Sequence, residues 1–309
     1  MLLSSVATAL SVALALHIRG ASARAGEWKR AAVPNYWFSF GDSYTQTGFD
    51  PNAAAPSGAN PFGNPPYPGW TATGGENWVG YLTTKMNNSL LYTYNYAYGG
   101  ATIDANLVTP YQPTVLSLTD QVNQFLNGVG RKPTSIPIGS PNSLYSIWIG
   151  INDIGNSWYQ SGDRAAFSDT LLNAQFALVQ KLVIISYSDV GARNFLFVNV
   201  PCIDRSPLML AQPASSQAGE KAVIQGYNAK LAAKIDAFRA SHAGVKTFLW
   251  DSYTTFSTIL DNPTAYGFVD ATSYGSAANL FWGNDYHPGS SAHKFFAQAV
   301  DDILAKTVW

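Results

Sequence analysis

Four short clusters of chemically active residues are spread along the sequence. They are Gly41-Asp42-Ser43, the run from Asn95 to Thr102, Gly150-Ile151-Asn152-Asp153, and Asn284-Asp285-Tyr286-His287-Pro288. Each cluster alone is ordinary loop composition, since turns favour Gly, Asn, Asp and Ser. Together they supply a serine nucleophile, two kinds of oxyanion donor and an acid–base pair, which are the groups needed for nucleophilic catalysis through a covalent intermediate.

The histidines indicate which residue serves as the base. A serine hydroxyl needs a base with a pKa near neutrality, and imidazole is the usual one. Among four histidines, His287 alone lies in a Gly/Asn/Asp-rich loop beside a carboxylate, that of Asp285. Asp285 could hold the imidazole in the required tautomer and stabilise the imidazolium. The lone cysteine, Cys202, follows an apolar run and is predicted to be packed rather than reactive.

Other chemistries lack their motifs. The sequence contains no Gly-x-Ser-x-Gly and no His-Glu-x-x-His. It also lacks Gly-x-Gly-x-x-Gly and a phosphate-binding loop that ends in Gly-Lys-Ser/Thr. An α/β-hydrolase elbow, a zinc-binding helix and a nucleotide site are therefore not indicated. We expect no metal and no organic cofactor.

Strand-like and helix-like segments alternate along the chain and would position these clusters. Buried apolar runs predict strands at 36–40, 90–97, 143–149, 193–200 and 245–250, and helical periodicity predicts helices at 76–86, 116–126, 164–186, 213–239 and 290–306. This alternation favours right-handed crossovers and a parallel sheet of about five strands, covered on both faces. We predict one α/β/α sandwich, whose ligands bind at the carboxyl ends of the strands.

Composition agrees with a single folded domain. The chain has 309 residues, of which 47% are hydrophobic and only 12% are charged, enough to bury a large core. Its 18 basic and 19 acidic residues leave no basic excess for binding nucleic acid.

The first residues are typical of an export signal. Residues 1–16 are apolar or small and uncharged, and Ala21-Ser22-Ala23 offers a small-x-small cleavage site, so 1–23 is predicted to be a signal peptide. The basic pair at 29–30 suggests further processing, which leaves 31–309 as the mature domain. No other stretch approaches a membrane span. We therefore expect a secreted protein, glycosylated at the sequon of Asn87.

The four clusters, in this order, resemble the GDSL or SGNH hydrolases over nearly all of the mature chain. The segment Phe38–Ser43 resembles the first family block. The resemblance implies a flavodoxin-like α/β/α fold, Ser43 as nucleophile and His287 as base. It also implies an oxyanion hole formed by the backbone N–H groups of Ser43 and Gly100 and the amide of Asn152.

Three positions depart from the family pattern. Tyr44 stands where the family name has Leu, and Gln46 stands where some relatives have Asp. The family acid lies three residues before the histidine, but that position is Asn284, with Asp285 one residue later. Either Asp285 completes a triad, which is the preferred prediction, or the site is a dyad in which Asn284 or a backbone carbonyl orients the imidazole.

Within the family, the chain resembles the fungal secreted acetyl esterases of carbohydrate esterase family sixteen. The predicted substrate is therefore an acetylated oligosaccharide or another small ester. Aromatic rings suit stacking on sugars, so the loop at 52–75 with Trp70, together with Trp282, is predicted to contact substrate. The alternatives are a secreted lipase or phospholipase and, from another class, a carbohydrate-binding wall protein with an inactive site.

Overall fold

The computed structural model describes residues 33–131, 136–184 and 191–309. The predicted signal peptide and the basic pair at 29–30 lie outside the described residues. Five parallel strands form one sheet in the order β2-β1-β3-β4-β5. The strands are β1 (Asn35–Gly41), β2 (Leu91–Asn95), β3 (Ser143–Trp148), β4 (Asn194–Val198) and β5 (Lys246–Trp250).

Eight α-helices connect and follow these strands in the described part of the chain. They are α1 (Trp78–Thr84), α2 (Leu118–Asn127), α3 (Ile151–Gly155), α4 (Arg164–Val183), α5 (Pro207–Leu210), α6 (Ala214–Ser241), α7 (Ser252–Asp261) and α8 (Ser290–Leu304). Helix α1 packs with α8, while α4 packs with α2 and α6. The predicted single-domain α/β/α sandwich with a flavodoxin-like parallel sheet is confirmed.

Local sequence accounts for where several helices begin. The side chain of Asn77 accepts a hydrogen bond from a backbone N–H in the first turn of α1, and Asp163 does the same for α4. Ser117 and Asp120 form a reciprocal capping box at the start of α2. Such caps satisfy N–H groups that have no partner within the helix. The ten predicted elements are all present, whereas helices α3, α5 and α7 were not predicted.

The strand order creates the crevice in which the site lies. Strand β1 is flanked by β2 on one side and β3 on the other, so the chain reverses direction across the sheet between them. Ligands of such sheets bind outside the carboxyl ends of the strands at this reversal. Ser43 follows β1 by two residues, and Asn152 is the second residue of α3, just after β3.

The core beneath this crevice is strongly aromatic. Trp148 packs edge-on against Trp250 and Trp78, with ring centroids 4.9 and 5.7 Å apart. All three side chains are fully buried, and Cys202 is likewise buried and free, as predicted. Within the described ranges, no helix is long and apolar enough to cross a membrane.

Candidate active site

Ser43 lies in a tight turn at the end of β1. The carboxyl of Asp42 braces this turn by accepting a hydrogen bond from the Tyr44 N–H at 3.0 Å. Gly41 is needed before the turn, because a Cβ at this position would lie 2.5 Å from the backbone oxygen of Trp148 in β3. The turn therefore presents the Ser43 hydroxyl at the carboxyl end of β1 in a fixed direction.

The Asp42 carboxyl is fully buried, and this changes its protonation. Burial raises its pKa to about 8, an effect that the Tyr44 N–H opposes and the nearby carboxyl of Asp153 reinforces. Its second oxygen, Oδ2, is buried without a hydrogen-bond partner. Burial therefore favours the neutral form of the Asp42 carboxyl, which supports the turn through the Tyr44 N–H.

His287 contacts the serine directly. Its Nε2 lies 2.8 Å from Ser43 Oγ, a hydrogen-bond distance between residues separated by 244 positions in the chain. The ring of Tyr44 packs beside the imidazole, with centroids 5.3 Å apart. A nucleophile and a base within hydrogen-bond reach form the core of a serine hydrolase site.

Asn284 fixes the tautomer of this imidazole. Its Oδ1 accepts hydrogen bonds from the backbone N–H groups of Tyr286 at 2.9 Å and His287 at 2.7 Å. These two bonds require that the oxygen, not the nitrogen, of the amide faces the ring, where Oδ1 lies 3.2 Å from His287 Nδ1. Because an amide oxygen only accepts, Nδ1 carries the hydrogen. Nε2 is then free to take the Ser43 proton.

Asp285 does not occupy the position predicted for it. In the described part of the chain, no hydrogen bond or ion pair joins its exposed carboxylate to His287, and its backbone oxygen accepts the Leu208 N–H at 2.8 Å. The geometry instead matches the alternative in which Asn284 orients the ring. The reason is local: the turn closed by the Asn284 side chain directs that side chain, and not the next one, toward Nδ1.

Burial also sets the basicity of His287. Loss of solvation lowers its pKa to about 4, while the negative charge of Asp285 acts in the opposite direction. The ring is therefore neutral, and able to accept a proton, through most of the pH range. Asp285 contributes to this site as a nearby charge.

Gly100 lies in a turn after β2 that only glycine adopts easily. Its φ is +81°, and a Cβ there would lie 2.2 Å from Cε1 of Tyr111. The preceding Tyr98 N–H donates to the Gly41 carbonyl at 3.1 Å, which ties this loop to the end of β1. The backbone N–H of Gly100 is thus a candidate oxyanion donor beside the nucleophile turn.

Asn152 completes the predicted donor set from the neighbouring strand. Its amide Nδ2 donates to the carbonyl of Ala101 at 2.9 Å, which leaves its second N–H for a ligand. Both carboxylate oxygens of Asp153 accept the Ile103 N–H, at 3.0 and 3.2 Å. Since these bonds join α3 to the loop after β2, the structure brings Asn152 and the Gly100 loop together.

The peripheral predictions have different outcomes. Trp282 is wrong as a substrate contact, because its side chain is fully buried and its indole N–H donates to the Ala271 carbonyl at 3.0 Å. Trp70 is 73% exposed, so its ring is available to a ligand. It lies in the loop at 52–75, which contains no helix or strand. Asn87 is partly exposed, and its glycosylation stays a prediction.

Tyr44 is a supporting residue that sequence analysis noted only as a departure from the family pattern. Its buried hydroxyl donates to the Tyr286 carbonyl at 2.5 Å, next to His287. The residue after the nucleophile therefore anchors the histidine loop. The sequence indicates this role only indirectly, because a tyrosine, with its polar hydroxyl, stands where the family motif has leucine.

Among the described residues, no group of three or more His, Cys, Asp or Glu side chains is arranged to hold a metal ion. His293 is a buried histidine near His287, but its Nδ1 accepts the backbone N–H of Trp78 at 3.2 Å. The expectation of a site without metal or cofactor stays a prediction.

Comparison with known proteins identifies the family. A family model described as GDSL-like Lipase/Acylhydrolase matches residues 38–300, from β1 to α8. The chain belongs to this family. It is therefore a carboxylic ester hydrolase, and the serine–histidine pair described above lies within the matched region.

Individual relatives agree with this assignment. The chain is 44% identical over 295 residues to an acetylesterase of Thermothelomyces thermophilus, a match that covers 94% of this chain and 96% of the relative. It is 33% identical over 183 residues to an acetylesterase of Hypocrea jecorina, covering 53% and 47% of the two chains. A solved alpha/beta hydrolase enzyme from the metagenome of Lake Arreo, Spain, has the same fold, with a TM-score of 0.50 at 15% identity, over 89% of this chain and 95% of its own.

Proposed function

We propose that the protein is a secreted acetylesterase that removes acetyl groups from acetylated carbohydrates. The observation that carries the proposal is the 2.8 Å contact between Ser43 Oγ and His287 Nε2 at the carboxyl end of β1. The 44% identity to an acetylesterase supports a small acyl group. The export signal predicted at 1–23 supports an extracellular site of action.

The reaction begins with proton transfer from Ser43 to His287. As Nε2 takes the proton, Oγ forms a bond to the ester carbonyl carbon, and the carbonyl oxygen becomes an oxyanion. The backbone N–H groups of Ser43 and Gly100 and the free amide hydrogen of Asn152 donate to this oxyanion. Donors that the fold holds in place before the reaction stabilise the oxyanion more than water does, because they need no reorganisation.

The tetrahedral intermediate collapses when the bond between the carbonyl carbon and the alcohol oxygen breaks. His287 returns its proton to that oxygen, and the sugar leaves with a free hydroxyl. A water molecule then gives a proton to His287 and attacks the acetyl-serine. The bond between the carbonyl carbon and Ser43 Oγ then breaks, His287 returns its proton to Oγ, and acetic acid leaves, so each turnover consumes one ester and one water.

The orienting group influences how the imidazolium is stabilised. Asn284 is neutral, so it fixes the direction and tautomer of the ring without adding negative charge. The carboxylate of Asp285 adds charge without a hydrogen bond, which is a weaker arrangement than a directly bonded acid. The oxyanion also places a negative charge close to the ring, and it favours the protonated histidine only while the intermediate exists.

The test compares esters of different acyl length. We expect purified protein to hydrolyse 4-nitrophenyl acetate much faster than the octanoate ester, and to release acetate from acetylated xylo-oligosaccharides. Ser43→Ala should abolish both activities, whereas the control Ser276→Ala, at an exposed loop position, should retain them. Preference for octanoate would instead indicate the lipase alternative. Absence of hydrolysis, with no labelling of Ser43 by a serine-directed inhibitor, would indicate the binding protein.

A further inference from the structure

A groove of about 350 Å³ lies next to the candidate oxyanion hole. Side chains that line it include Val108, Thr109, Tyr111, Asn156, Tyr159 and Gln160. This volume falls within the range of small-molecule pockets, about 300–1,000 Å³. We refer to it as the tyrosine groove.

Two contacts place the tyrosine groove beside the reacting centre. The ring of Tyr111 covers Gly100 so closely that a Cβ on the glycine would lie 2.2 Å from it. On the other side, the Asn156 N–H donates to the Asn152 carbonyl at 3.0 Å, so Asn156 is one helical turn beyond the oxyanion donor. A ligand in the groove would therefore touch neighbours of both Gly100 and Asn152.

The lining is chemically suited to a sugar. Tyr111 and Tyr159 are 68% and 65% exposed, and no hydrogen bond within the described residues uses their hydroxyls. Asn156 and Gln160 add two side-chain amides, and no charged side chain lines the groove. Exposed aromatic faces, together with neutral donors and acceptors, match the apolar faces and hydroxyls of a pyranose ring.

A long acyl chain fits this lining less well. Such a chain needs aliphatic walls, but the lining offers only Leu107, which is partly exposed, and Val108, which is 4% exposed. Beside the two phenol rings, the groove therefore offers an alkyl chain one partly exposed aliphatic side chain, Leu107. Binding a chain there would also remove the two tyrosine hydroxyls and the two amides from water. An acetyl group is too small to need such a groove, so the alcohol part of the ester is the better occupant.

We propose that the tyrosine groove binds the sugar unit of the substrate, stacked on Tyr111 and Tyr159 and hydrogen-bonded by Asn156 and Gln160. This inference rests on the proposed function and adds to it a specificity site for the leaving alcohol. A sugar held there lies against the ring that covers Gly100, which directs its acetyl group toward Ser43. The groove thereby selects acetylated carbohydrates over acetyl esters of simple alcohols.

Tyr159→Ala tests the groove without touching the catalytic residues. We expect KM for acetylated xylo-oligosaccharides to rise about three- to tenfold, the range for loss of an aromatic stacking contact. Hydrolysis of ethyl acetate should be unchanged, because that ester carries neither a sugar nor an aromatic ring to stack on Tyr159. The control is Tyr274→Ala, at a tyrosine that is 57% exposed and outside the groove lining, and it should alter neither activity.

Direct binding provides a second measurement. Ser43→Ala should bind an acetylated xylo-oligosaccharide in calorimetry, and adding Tyr159→Ala should weaken that binding by the same factor. Equal effects of Tyr159→Ala on both esters, or no effect on either, would overturn the groove while leaving the proposed function intact. A selective loss of octanoate hydrolysis would assign the groove to the acyl chain. Wild-type protein that cleaves 4-nitrophenyl acetate but no acetylated carbohydrate would refute the proposed substrate and the groove together.

Discussion

Replacing Asn284 by Ala tests which residue orients the catalytic imidazole. The substitution removes the oxygen that accepts hydrogen bonds from His287 Nδ1 and from the backbone N–H groups of Tyr286 and His287. The loop then loses its closing contact, and the ring loses the partner that selects its tautomer. Asp285→Asn is the matched comparison, since it removes a neighbouring carboxylate that makes no hydrogen bond to the ring.

The structure gives the expected size of both effects. Three hydrogen bonds of about 1 kcal/mol each set an upper bound near 3 kcal/mol for Asn284→Ala, which corresponds to about a hundredfold loss in kcat. For Asp285→Asn, the charge is exposed and screened, so its interaction with the imidazolium is worth about 1 kcal/mol or less. We therefore expect kcat to fall less than about tenfold in that variant.

The assay is the pH dependence of kcat and kcat/KM on 4-nitrophenyl acetate for the wild type and three variants. Asn284→Ala should lower kcat strongly. Asp285→Asn should lower kcat by less than about tenfold. It should also move the acid limb to lower pH, because the charge that raises the pKa of His287 is lost. Asn284→Asp should retain activity and move that limb to higher pH, since it places a negative charge against Nδ1.

One outcome would contradict the orienting role of Asn284. If Asp285→Asn loses more activity than Asn284→Ala, and both variants keep the wild-type melting temperature, Asp285 is the orienting acid during turnover. The orienting role of Asn284, inferred from its 3.2 Å contact with His287 Nδ1, would then be refuted, and the triad predicted from the sequence would stand.

Three further predictions follow from the site. Gly100→Ala should lower kcat about a hundred- to a thousandfold, because the new Cβ would meet the Tyr111 ring and displace an oxyanion donor. The control is Gly74→Ala, at a glycine that also has a positive φ but has open space around it, and it should leave kcat unchanged. Tyr44→Phe should lower kcat about three- to tenfold by releasing the Tyr286 carbonyl, and unchanged kinetics would exclude this anchoring role. In the wild type, kcat/KM should fall as the pH drops through about 4, where His287 gains a proton, and an acid limb near 6.5 would contradict the burial of this ring.

Much of the fold was predictable because local patterns and topology agree. Five apolar runs predicted all five strands, and strands alternating with helices permit few arrangements besides a parallel sheet. Short helices such as α5 (Pro207–Leu210) were not predictable, because one turn of helix carries too little periodicity to be separated from a loop.

The candidate nucleophile and base were also indicated by sequence, because turn glycines and a lone loop histidine mark positions where side chains must reach the sheet edge. Sequence left open which neighbour holds His287. Asn284 and Asp285 are adjacent and both polar, and the choice depends on how one turn is closed by backbone hydrogen bonds.

Tertiary structure also decided which aromatic residues face solvent. Trp70 and Trp282 lie in similar glycine-containing loops, yet one is 73% exposed and the other fully buried. Residue type does not distinguish them, since an indole can pack in a core or bind a ligand. Burial is settled only when distant segments meet, as when Trp282 packs against Phe256 of α7. The sequence therefore determined the order of the elements and the chemistry at their ends, while tertiary packing decided the direction in which each side chain points.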